Sequence, residues 1–495
     1  MLTSYLFSFY RKLIPFLPEP HRFQTILAIL LLGIFSAGKG QSNQTQTVIK
    51  KPAHYRGLCV INDSCAWFSG SKGTVIRTNN GGISFDTISP FPSNTHFAHF
   101  LPSGNQTIEA FNRANTSHIS LKNKDFRDIW AKNNLEAVIM SAGDSAMILK
   151  TQDGGKSWTL VHFDFRDGIF LDALEIDSKT GIGMVLGDPI LPEPIIVEIT
   201  QDQKSSIIPQ KNQPSSQPKE SYMSKKHFAA LYTLDFGSSW NQLPVGDWNL
   251  PQDSLESFFA ASGSSLIIIE SNKIANSKNN TPQNSFKNLY VGFAGGGIQP
   301  CYHIVKFKKQ KIGMKKPSRR FQIPNDPLRV DGHAVVTLPM MGGPAAGVYG
   351  MCSTEDGYMI AVGGNYTLPN NYFGASSHST KGNFGFKWAS NDTPNGNTGG
   401  YRSGVCISGT ICEENLPKKF THPTRIAICT GTNGSDISFD DGRHWQSIAK
   451  QTLKSGSYFE GSFNACSFSS NFLWMVGNTG KFQRIPISDL LHLTE

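Results

Sequence analysis

The sequence is poor in charge and has almost no long apolar runs. Only 17% of its 495 residues are Asp, Glu, Lys or Arg, and the sustained charged heptads of a long coiled coil are absent. The longest apolar run, ILAILLLGIFSAG at residues 26–38, is shorter than the roughly 20 residues that a membrane-spanning helix needs. These features exclude a fibrous coiled coil and a protein with many membrane helices.

Sequence signatures of metal and nucleotide chemistry are also missing. No CxxC, HExxH or GxSxG motif occurs, and the 13 histidines are scattered without metal-ligand spacing. The glycines at 295–297 and 342–343 are not followed by Lys-Ser or Lys-Thr, so no phosphate-binding loop is indicated. We therefore expect no metal site and no cofactor, and we interpret His303, His333 and His378 as loop or core residues.

Glycine, proline and aromatic residues are abundant instead. The chain contains 47 Gly, 27 Pro and 33 Phe, and its short apolar runs are separated by Gly, Asn and Ser, a pattern typical of strands and tight turns. The formal net charge is +9, but eight of the basic residues lie within residues 301–320. That stretch lacks the interleaved aromatics of a nucleic-acid platform, so we expect an all-β protein that does not bind nucleic acid.

The first 40 residues are typical of a targeting segment. Basic residues precede the apolar run at 26–38, and the polar sequence KGQSNQTQ follows it. We predict a signal peptide at 1–40 and an exported, periplasmic or extracellular domain at 41–495. The alternative is an N-terminal anchor that stays attached to the mature chain.

One short motif occurs four times, at residues 78–85, 151–158, 233–240 and 438–445. It reads Ser/Thr, any residue, Asp/Asn, any residue, Gly, any residue, Ser/Thr/His, Trp/Phe. The acidic or amide side chain can accept hydrogen bonds from the amides of a tight turn, and the glycine permits a positive φ. We expect the aromatic residue to pack against the next unit. The residues assigned to these structural turns are Asn80, Gly82, Asp153, Gly155, Trp158, Asp235, Gly237, Trp240, Asp440, Gly442 and Trp445.

Each motif follows a recurrent set of short strands, and seven such units can be traced along the chain. Four strands per unit, repeated radially, form a β-propeller. The fold prediction is therefore a seven-bladed, single-domain propeller in which units four, five and seven lack the motif. Polar insertions are expected at about 201–226, 271–288 and 372–400. The last unit lacks an evident fourth strand, which residues 47–50 (TVIK) are expected to supply.

The four motifs resemble Asp-box, or BNR, repeats. With the segments SGSKGTVIRTNNGG and SAGDSAMILKTQDGGKSW, the chain over roughly residues 50–490 resembles the photosystem II assembly/stability factor-like family, whose bacterial relatives are often exported. The resemblance implies a propeller and an assembly or binding role. It is more specific for fold than for function, because Asp boxes also occur in sialidases. This sequence departs from the pattern at Asn80, Phe85 and His444.

Export would make disulfides a reasonable expectation for the eight cysteines. Cys59 and Cys65, and likewise Cys406 and Cys412, flank short segments that resemble hairpin turns. A turn of odd length would place each pair directly opposite on neighbouring strands, within bonding reach. A turn of even length would set them on a diagonal, so both disulfides and free thiols remain open.

The residues that begin the innermost strands are expected to meet at one mouth of the central channel. Arg56, Arg127 and Arg402 are assigned to equivalent positions there, and three converging guanidinium groups could bind an anionic partner group. The alternative is that each arginine pairs with a neighbouring acid and stiffens the rim. The accompanying candidate binding residues are Asp128, Asp172, Tyr349, Tyr401 and Asn464.

The resulting hypothesis is a non-catalytic, monomeric module that binds a protein partner or an exposed polypeptide segment. The alternative is a carbohydrate-active propeller, either a sialidase-like hydrolase or a glycan-binding protein, because three arginines with Tyr401 partly match such a site. No glutamate begins an equivalent inner strand, which weighs against hydrolysis. No catalytic residue is assigned, and no membrane span is expected beyond the N-terminal segment.

Overall fold

The alternation of apolar runs and turn residues folds as β-sheet through most of the described chain. The computed structural model describes residues 49, 52–89, 123–143, 145–164, 166–191, 225–270, 289–309, 328–381, 385–392, 396–412, 414, 416–418, 420, 422–448, 451–453, 459 and 461–493. All of them belong to the unit Thr45–Glu495. The expected signal peptide, the insertion at 271–288 and nearly all of the insertion at 201–226 lie outside the described residues. Within these ranges, no helix is long and apolar enough to cross a bilayer.

The described strands form seven antiparallel sheets, numbered here in chain order. Sheet 1 contains β1 to β4 (Tyr55–Val60, Ala66–Gly70, Thr74–Thr78 and Asp86–Thr87). Sheet 2 contains β5 to β8 (Asp125–Ala131, Ala137–Ala142, Ala146–Thr151 and Thr159–Asp164). Sheet 3 contains β9 to β12 (Leu171–Ile176, Gly183–Ile190, His227–Thr233 and Asn241–Gln242). Sheet 4 contains β13, β14, β16 and β17 (Leu266–Glu270, Leu289–Ala294, Cys301–Lys309 and Leu328–Thr337).

The later sheets vary more in strand number. Sheet 5 contains β15 and β18 to β21 (Gly296–Gly297, Gly343–Ser353, Met359–Asn365, Ser376–Ser379 and Trp388–Ser390). Sheet 6 contains β22 to β25 (Gly404–Ile407, Ala427–Gly431, Gly434–Ser438 and Gln446–Ser447). Sheet 7 contains β26 to β28 (Ala465–Phe468, Phe472–Val476 and Phe482–Pro486) and is followed by the one-turn helix Ile487–Leu490. Since β20 and β21 lie within residues 372–400, that segment is part of sheet 5, and interpreting it as an insertion was wrong.

The sheets form a closed ring because each is apolar on both faces. A separate hydrophobic cluster fills the space between every neighbouring pair, from sheets 1 and 2 through to sheets 6 and 7. A further cluster joins sheet 7 to sheet 1, where Trp474 and Phe482 pack with Tyr55 and Phe68. The innermost strands contact one another in the same cyclic order. This radial arrangement is a β-propeller, as predicted.

The two ends of the ring meet through the segment that precedes β1. The amide of Ile49 donates to the Gly480 carbonyl at 3.0 Å, and the Gly480 amide donates to the Ala53 carbonyl at 3.0 Å. Gly480 belongs to the turn between β27 and β28. Ile49 therefore contacts this turn, whereas a fourth strand would pair along β28; the other three residues of the expected strand lie outside the described chain.

The four recurrent motifs form the turns between the third and fourth strands of sheets 1, 2, 3 and 6. In sheet 2, Asp153 accepts hydrogen bonds from the Ser157 amide at 2.9 Å and the Ser157 hydroxyl at 2.6 Å, while the Gly155 amide donates to the Thr151 hydroxyl. The other three turns share these amide contacts. Gly155 has a φ of +86°, which is why the position requires glycine.

The aromatic residues of these turns pack against the preceding sheet, not the next one as expected. Trp158 of sheet 2 meets Trp67 of sheet 1 edge to face, with ring centroids 6.5 Å apart. A Cβ added to Gly155 would lie 2.8 Å from Ile88, so the glycine also permits close approach to sheet 1. The other three motif aromatics also pack against the preceding sheet: Phe85 against sheet 7, Trp240 against sheet 2 and Trp445 against sheet 5.

Of the two alternatives left open for these cysteine pairs, the structure has the free thiols, at Cys59, Cys65, Cys406 and Cys412. Cys59 pairs with Trp67 in the β1–β2 register, and the Ile61 amide donates to the Cys65 carbonyl. The two cysteines are therefore on a diagonal, which does not permit a cross-link. Cys406 pairs with Ile428, so the segment leading to Cys412 is not a hairpin turn.

We expect the Asp153→Ala substitution to lower the free energy of unfolding by about 1 kcal/mol at neutral pH, because the exposed carboxylate satisfies turn donors. These hydrogen bonds, chiefly those from Ser157, hold the pKa of Asp153 at about 2, below its ordinary value. A carboxyl group whose pKa is lower in the folded state stabilises the fold at pH values above its ordinary pKa. The difference in stability between the variant and wild type should therefore shrink as the pH falls toward 2.

Urea denaturation provides the measurement, and Asp167→Ala is the matched control because Asp167 is an exposed turn acid. Equal stability losses in the two variants would contradict a role for Asp153 in the turn.

Candidate functional site

The starts of the innermost strands lie on one face of the ring, together with the turns between second and third strands, because successive strands alternate in direction. We call this side the mouth face. Four innermost strands carry a β-bulge at the same place, where one residue is left out of the pairing. A bulge redirects the side chain of the extra residue. The bulged residues are Arg56, Arg127, Asp172 and Tyr349.

Arg402 lies one position away from the other two predicted arginines. A Cβ on Gly431 would touch the Tyr401 carbonyl and the Arg402 Cα, just as a Cβ on Gly70 would touch the His54 carbonyl and the Tyr55 Cα. Arg402 is therefore equivalent to Tyr55. Assigning it to the position of Arg56 was wrong, and Ser403 occupies that position.

The environment of Arg402 is that of a structural ion pair. Only 1% of Arg402 is exposed. Its guanidinium donates to Asp436 at 2.6 and 2.5 Å, to the Tyr401 carbonyl at 2.8 Å and to Asn433 at 2.7 Å. The contacts of Arg402 favour the alternative interpretation, in which the arginine pairs with a neighbouring acid. An arginine triad around Tyr401 is therefore not assembled.

The two remaining arginines differ in how fully they are engaged. The Arg127 Nε donates to Asp125 at 2.6 Å, and its Nη1 donates to the Ala260 carbonyl at 2.7 Å. Arg56 is half-buried, and its guanidinium has no hydrogen bond or ion pair to any described residue. Burial and the nearby charge of Arg127 lower the pKa of Arg56. Arg56 thus lacks a hydrogen-bond or ion-pair partner among the described residues, although the nearby charge of Asp125 partly offsets these effects.

Asp172 and Asn464 are buried at the rim. Neither carboxylate oxygen of Asp172 accepts a hydrogen bond of good geometry from a described residue, and burial raises its pKa well above the ordinary value, with a further increase from Asp188. The Asn464 amide nitrogen donates to the Tyr55 carbonyl at 2.9 Å and to Asn478 at 2.9 Å. Asn464 therefore joins sheet 7 to sheet 1 and is structural.

Aromatic side chains form the rest of the rim. Phe259 stacks on Tyr349 with ring centroids 4.0 Å apart and planes 10° apart. Tyr349 meets Tyr401 edge to face at 4.8 Å and Tyr366 at 6.5 Å. Burial raises the pKa of both Tyr349 and Tyr401, so both phenols are neutral at physiological pH. Of these four rings, Tyr349 and Tyr401 are buried, Phe259 is partly buried and Tyr366 is exposed.

A segment of small residues crosses the channel directly beneath the rim. Residues 260–265 connect Phe259 to β13, and we call them the cross-channel loop. Its Ala260 carbonyl accepts from Arg127 of sheet 2, its Ser262 hydroxyl donates to the Ser403 carbonyl at 2.8 Å, and its Ser264 carbonyl accepts from the Met351 amide. The loop thus bridges sheets 2, 5 and 6 below the mouth.

Asp128 belongs beneath this loop and not at the mouth. It follows the bulge, at a position where other inner strands have Gly or Ala. Its carboxylate accepts from the amides of Ile129 and Leu174, both at 2.8 Å. A Cβ on Gly263 would come within 2.1 Å of that carboxylate. Burial raises the pKa of Asp128 to about 7. Asp128 therefore anchors sheet 3 and is covered by the cross-channel loop.

A cavity of about 530 Å³ extends from the cross-channel loop to the far ends of the inner strands. Its wall includes Cys59, Asp128, Glu175 and Ser262. Burial, followed by the charges of Asp128 and Asp177, raises the pKa of Glu175 to about 8. Within the described ranges, no group of three or more His, Cys, Asp or Glu side chains is placed to hold a metal ion.

Sequence reasoning missed three parts of the site: Phe259, the cross-channel loop and Glu175. The run AASGSS at 260–265 signals a segment that can approach other backbones closely, because its side chains are small. Nothing in the local sequence places Glu175 in the channel, since its position depends on the strand register of sheet 3.

The Glu175→Gln substitution tests the environment of the cavity. Because the folded state raises the pKa of Glu175 above its ordinary 4.5, ionisation opposes folding. The wild-type protein should lose stability as the pH rises from 4.5 to about 8, and the variant should lose less. Urea denaturation at both ends of this range measures the difference, with Glu355→Gln, an exposed turn residue, as control. A pH-independent difference between Glu175→Gln and wild type would contradict the assignment.

Comparisons with known proteins add remote structural similarities only. No family model and no curated protein matches the sequence. The solved structure of YCF48 bound to D1 peptide aligns over 90% of this chain and 98% of its own, at 12% identity and a TM-score of 0.40. YCF48 from Cyanidioschyzon merolae covers 89% and 98%, at 10% identity and 0.36. The WD40 β-propeller domain of Doa1 covers 89% and 95%, at 11% identity and 0.41.

Proposed function

We propose that the protein is an exported, non-catalytic, seven-bladed propeller that binds a polypeptide segment at its mouth face. Each of the seven sheets is one blade, and the bound segment places a carboxylate against Arg56. The family that the recurrent turns resemble is in keeping with a binding or assembly role. The proposal itself rests on the geometry around Arg56.

The observation that carries the proposal is the unpaired, half-buried guanidinium of Arg56. Removing a charge from water is costly unless a partner of opposite charge or a hydrogen-bond acceptor compensates for it. Arg127 and Arg402 have such partners within the chain, whereas Arg56 has no hydrogen bond or ion pair to a described residue, and the charge of Asp125 favours its charged form only from beyond ion-pair distance. A carboxylate from a partner would supply a charge-assisted, bidentate contact.

The surroundings of Arg56 restrict how such a segment can bind. The cross-channel loop spans sheets 2, 5 and 6 below the rim, so the segment binds across the mouth and not through the ring. Arg127, held by Asp125 and Ala260, supports the positive potential without needing to move. The rings of Tyr349 and Tyr401 are buried and pack against each other, so they support the rim without forming its contact surface.

Selection from a display library of random peptides tests the proposal. Wild-type protein should enrich peptides that contain Asp or Glu, and Arg56→Gln should weaken the selected peptides by about tenfold or more. That change corresponds to the ~1.5–3 kcal/mol of a hydrogen bond to a charged group. Arg329→Gln is the control, because it removes the same charge from an exposed outer strand.

Fluorescence anisotropy of the selected peptides gives the affinities, and urea denaturation verifies that both variants fold. Equal affinities of wild type and Arg56→Gln would overturn the proposal, as would a selection without acidic residues.

A further inference from the structure

Exposed apolar side chains are concentrated on one part of the mouth face. Six large hydrophobic residues there, each between 40% and 66% exposed, lie in loops that begin or connect sheets 4 and 5. An apolar group of this kind on a soluble protein marks an interaction site. We call the six residues the apolar shelf: Leu255, Ile298, Tyr366, Leu368, Tyr372 and Phe373.

The half of the apolar shelf that belongs to sheet 4 is held by one acid. Asp253 accepts from the Leu255 amide at 2.8 Å and from the Ile298 amide at 2.9 Å, so these two residues are neighbours. Ile298 follows β15, which pairs with β18 of sheet 5. The shelf therefore continues from one sheet to the next without a gap in the backbone contacts.

The half that belongs to sheet 5 is equally fixed. The Tyr366 amide donates to the Ala345 carbonyl at 3.2 Å, and the Pro369 carbonyl accepts from the Tyr401 amide at 2.8 Å. The Phe373 amide donates to Asn371 at 3.1 Å. These contacts hold exposed apolar groups in place before any partner arrives, which reduces the cost of binding.

The apolar shelf continues into the rim beside Arg56. Tyr366 belongs to the shelf and meets Tyr349 at 6.5 Å, and Tyr349 meets Tyr401 at 4.8 Å. Tyr401 lies close enough to Arg56 for the cation to oppose the burial-induced rise in its pKa. A chain of ring contacts, in which Tyr349 and Tyr401 are buried, therefore links the exposed shelf to the surroundings of Arg56.

On the side of sheets 7 and 1, the described part of the mouth face carries two lysines. Lys72 is exposed in the turn between β2 and β3, and Lys481 lies in the turn that follows β27. Apolar groups lie on one side of Arg56 and cations on the other. This arrangement suits a partner with apolar side chains at one end and acidic side chains at the other.

We propose that the occupant of the mouth face is a polypeptide segment with bulky apolar side chains beside acidic ones. The apolar side chains lie on the shelf, and the acids bind Arg56 and the basic side. This inference rests on the proposed function and adds the class of segment that is recognised. The hydroxyl-bearing tyrosines of the shelf suit a polypeptide, which presents polar backbone beside its apolar groups.

The test uses short fluorescent probe peptides and fluorescence anisotropy. One probe has glutamates at one end and leucine and phenylalanine at the other, the second has serines in place of the apolar residues, and the third has glutamines in place of the glutamates. The double variant Leu368→Ser/Phe373→Ser alters the shelf at two exposed residues. Ile83→Ser/Leu135→Ser is the matched control, because these side chains are 64% and 50% exposed on the opposite face.

We expect the shelf variant to bind the first probe about tenfold more weakly than wild type does, and to bind the serine probe as wild type does. Arg56→Gln should weaken both of these probes, and the glutamine probe should bind wild type at least as weakly as the first probe binds Arg56→Gln, because it also loses the contacts with the lysines. The control variant should match wild type throughout.

The outcomes separate the two proposals. If Arg56→Gln weakens the first probe but the shelf variant does not, the shelf inference fails and the proposed function stands. If neither variant has an effect, or wild type does not bind the first probe, both fail. Binding to phosphatidylglycerol vesicles that is lost in the shelf variant, with peptide binding unchanged, would assign the shelf to a membrane surface and overturn the inference.

Discussion

Every sheet of this protein must bury both of its faces, and the rest of the structure depends on that constraint. A sheet with two apolar faces is stable only between two others, so a row of such sheets leaves an exposed apolar face at each end unless it closes. Closure is achieved where Trp474 and Phe482 pack with Tyr55 and Phe68. The same closure gathers the innermost strands around one axis, and so it creates the mouth where side chains that are distant in sequence can act together.

The β-bulge at the start of the inner strands then decides which side chains reach that mouth. The residue before the bulge stays in the core between sheets, as Tyr55 and Phe126 do. The bulged residue is turned toward the axis, as Arg56 is. One position in sequence therefore separates a structural residue from a candidate binding residue. Arg402 shows the consequence, because it takes the core position and needs Asp436 as a buried partner.

This explains how far sequence reasoning could succeed. The propeller could be predicted because recurrent turns and strand patterns are local and repeat along the chain. The position of Arg402 could not be read from its Tyr-Arg pair, since Tyr401-Arg402 resembles Tyr55-Arg56 but has one extra residue before the following glycine. Aligning Gly404 with Gly57 would have corrected the register. The cross-channel loop was missed because its role depends on contacts with sheets 2, 5 and 6, which its own sequence does not encode.

The recurrent turns are separated from the candidate binding residues. The turns occur in sheets 1, 2, 3 and 6 and lie on the face opposite the mouth, where their glycines and aromatics hold each sheet against the preceding one. Sheets 4, 5 and 7 lack them, and sheets 4 and 5 instead supply Phe259, the cross-channel loop and the apolar shelf. Elaboration is therefore concentrated where it does not disturb the packing between sheets. A surface built by two neighbouring sheets that lack the recurrent turn, beside Arg56, is where a binding partner would make its most specific contacts.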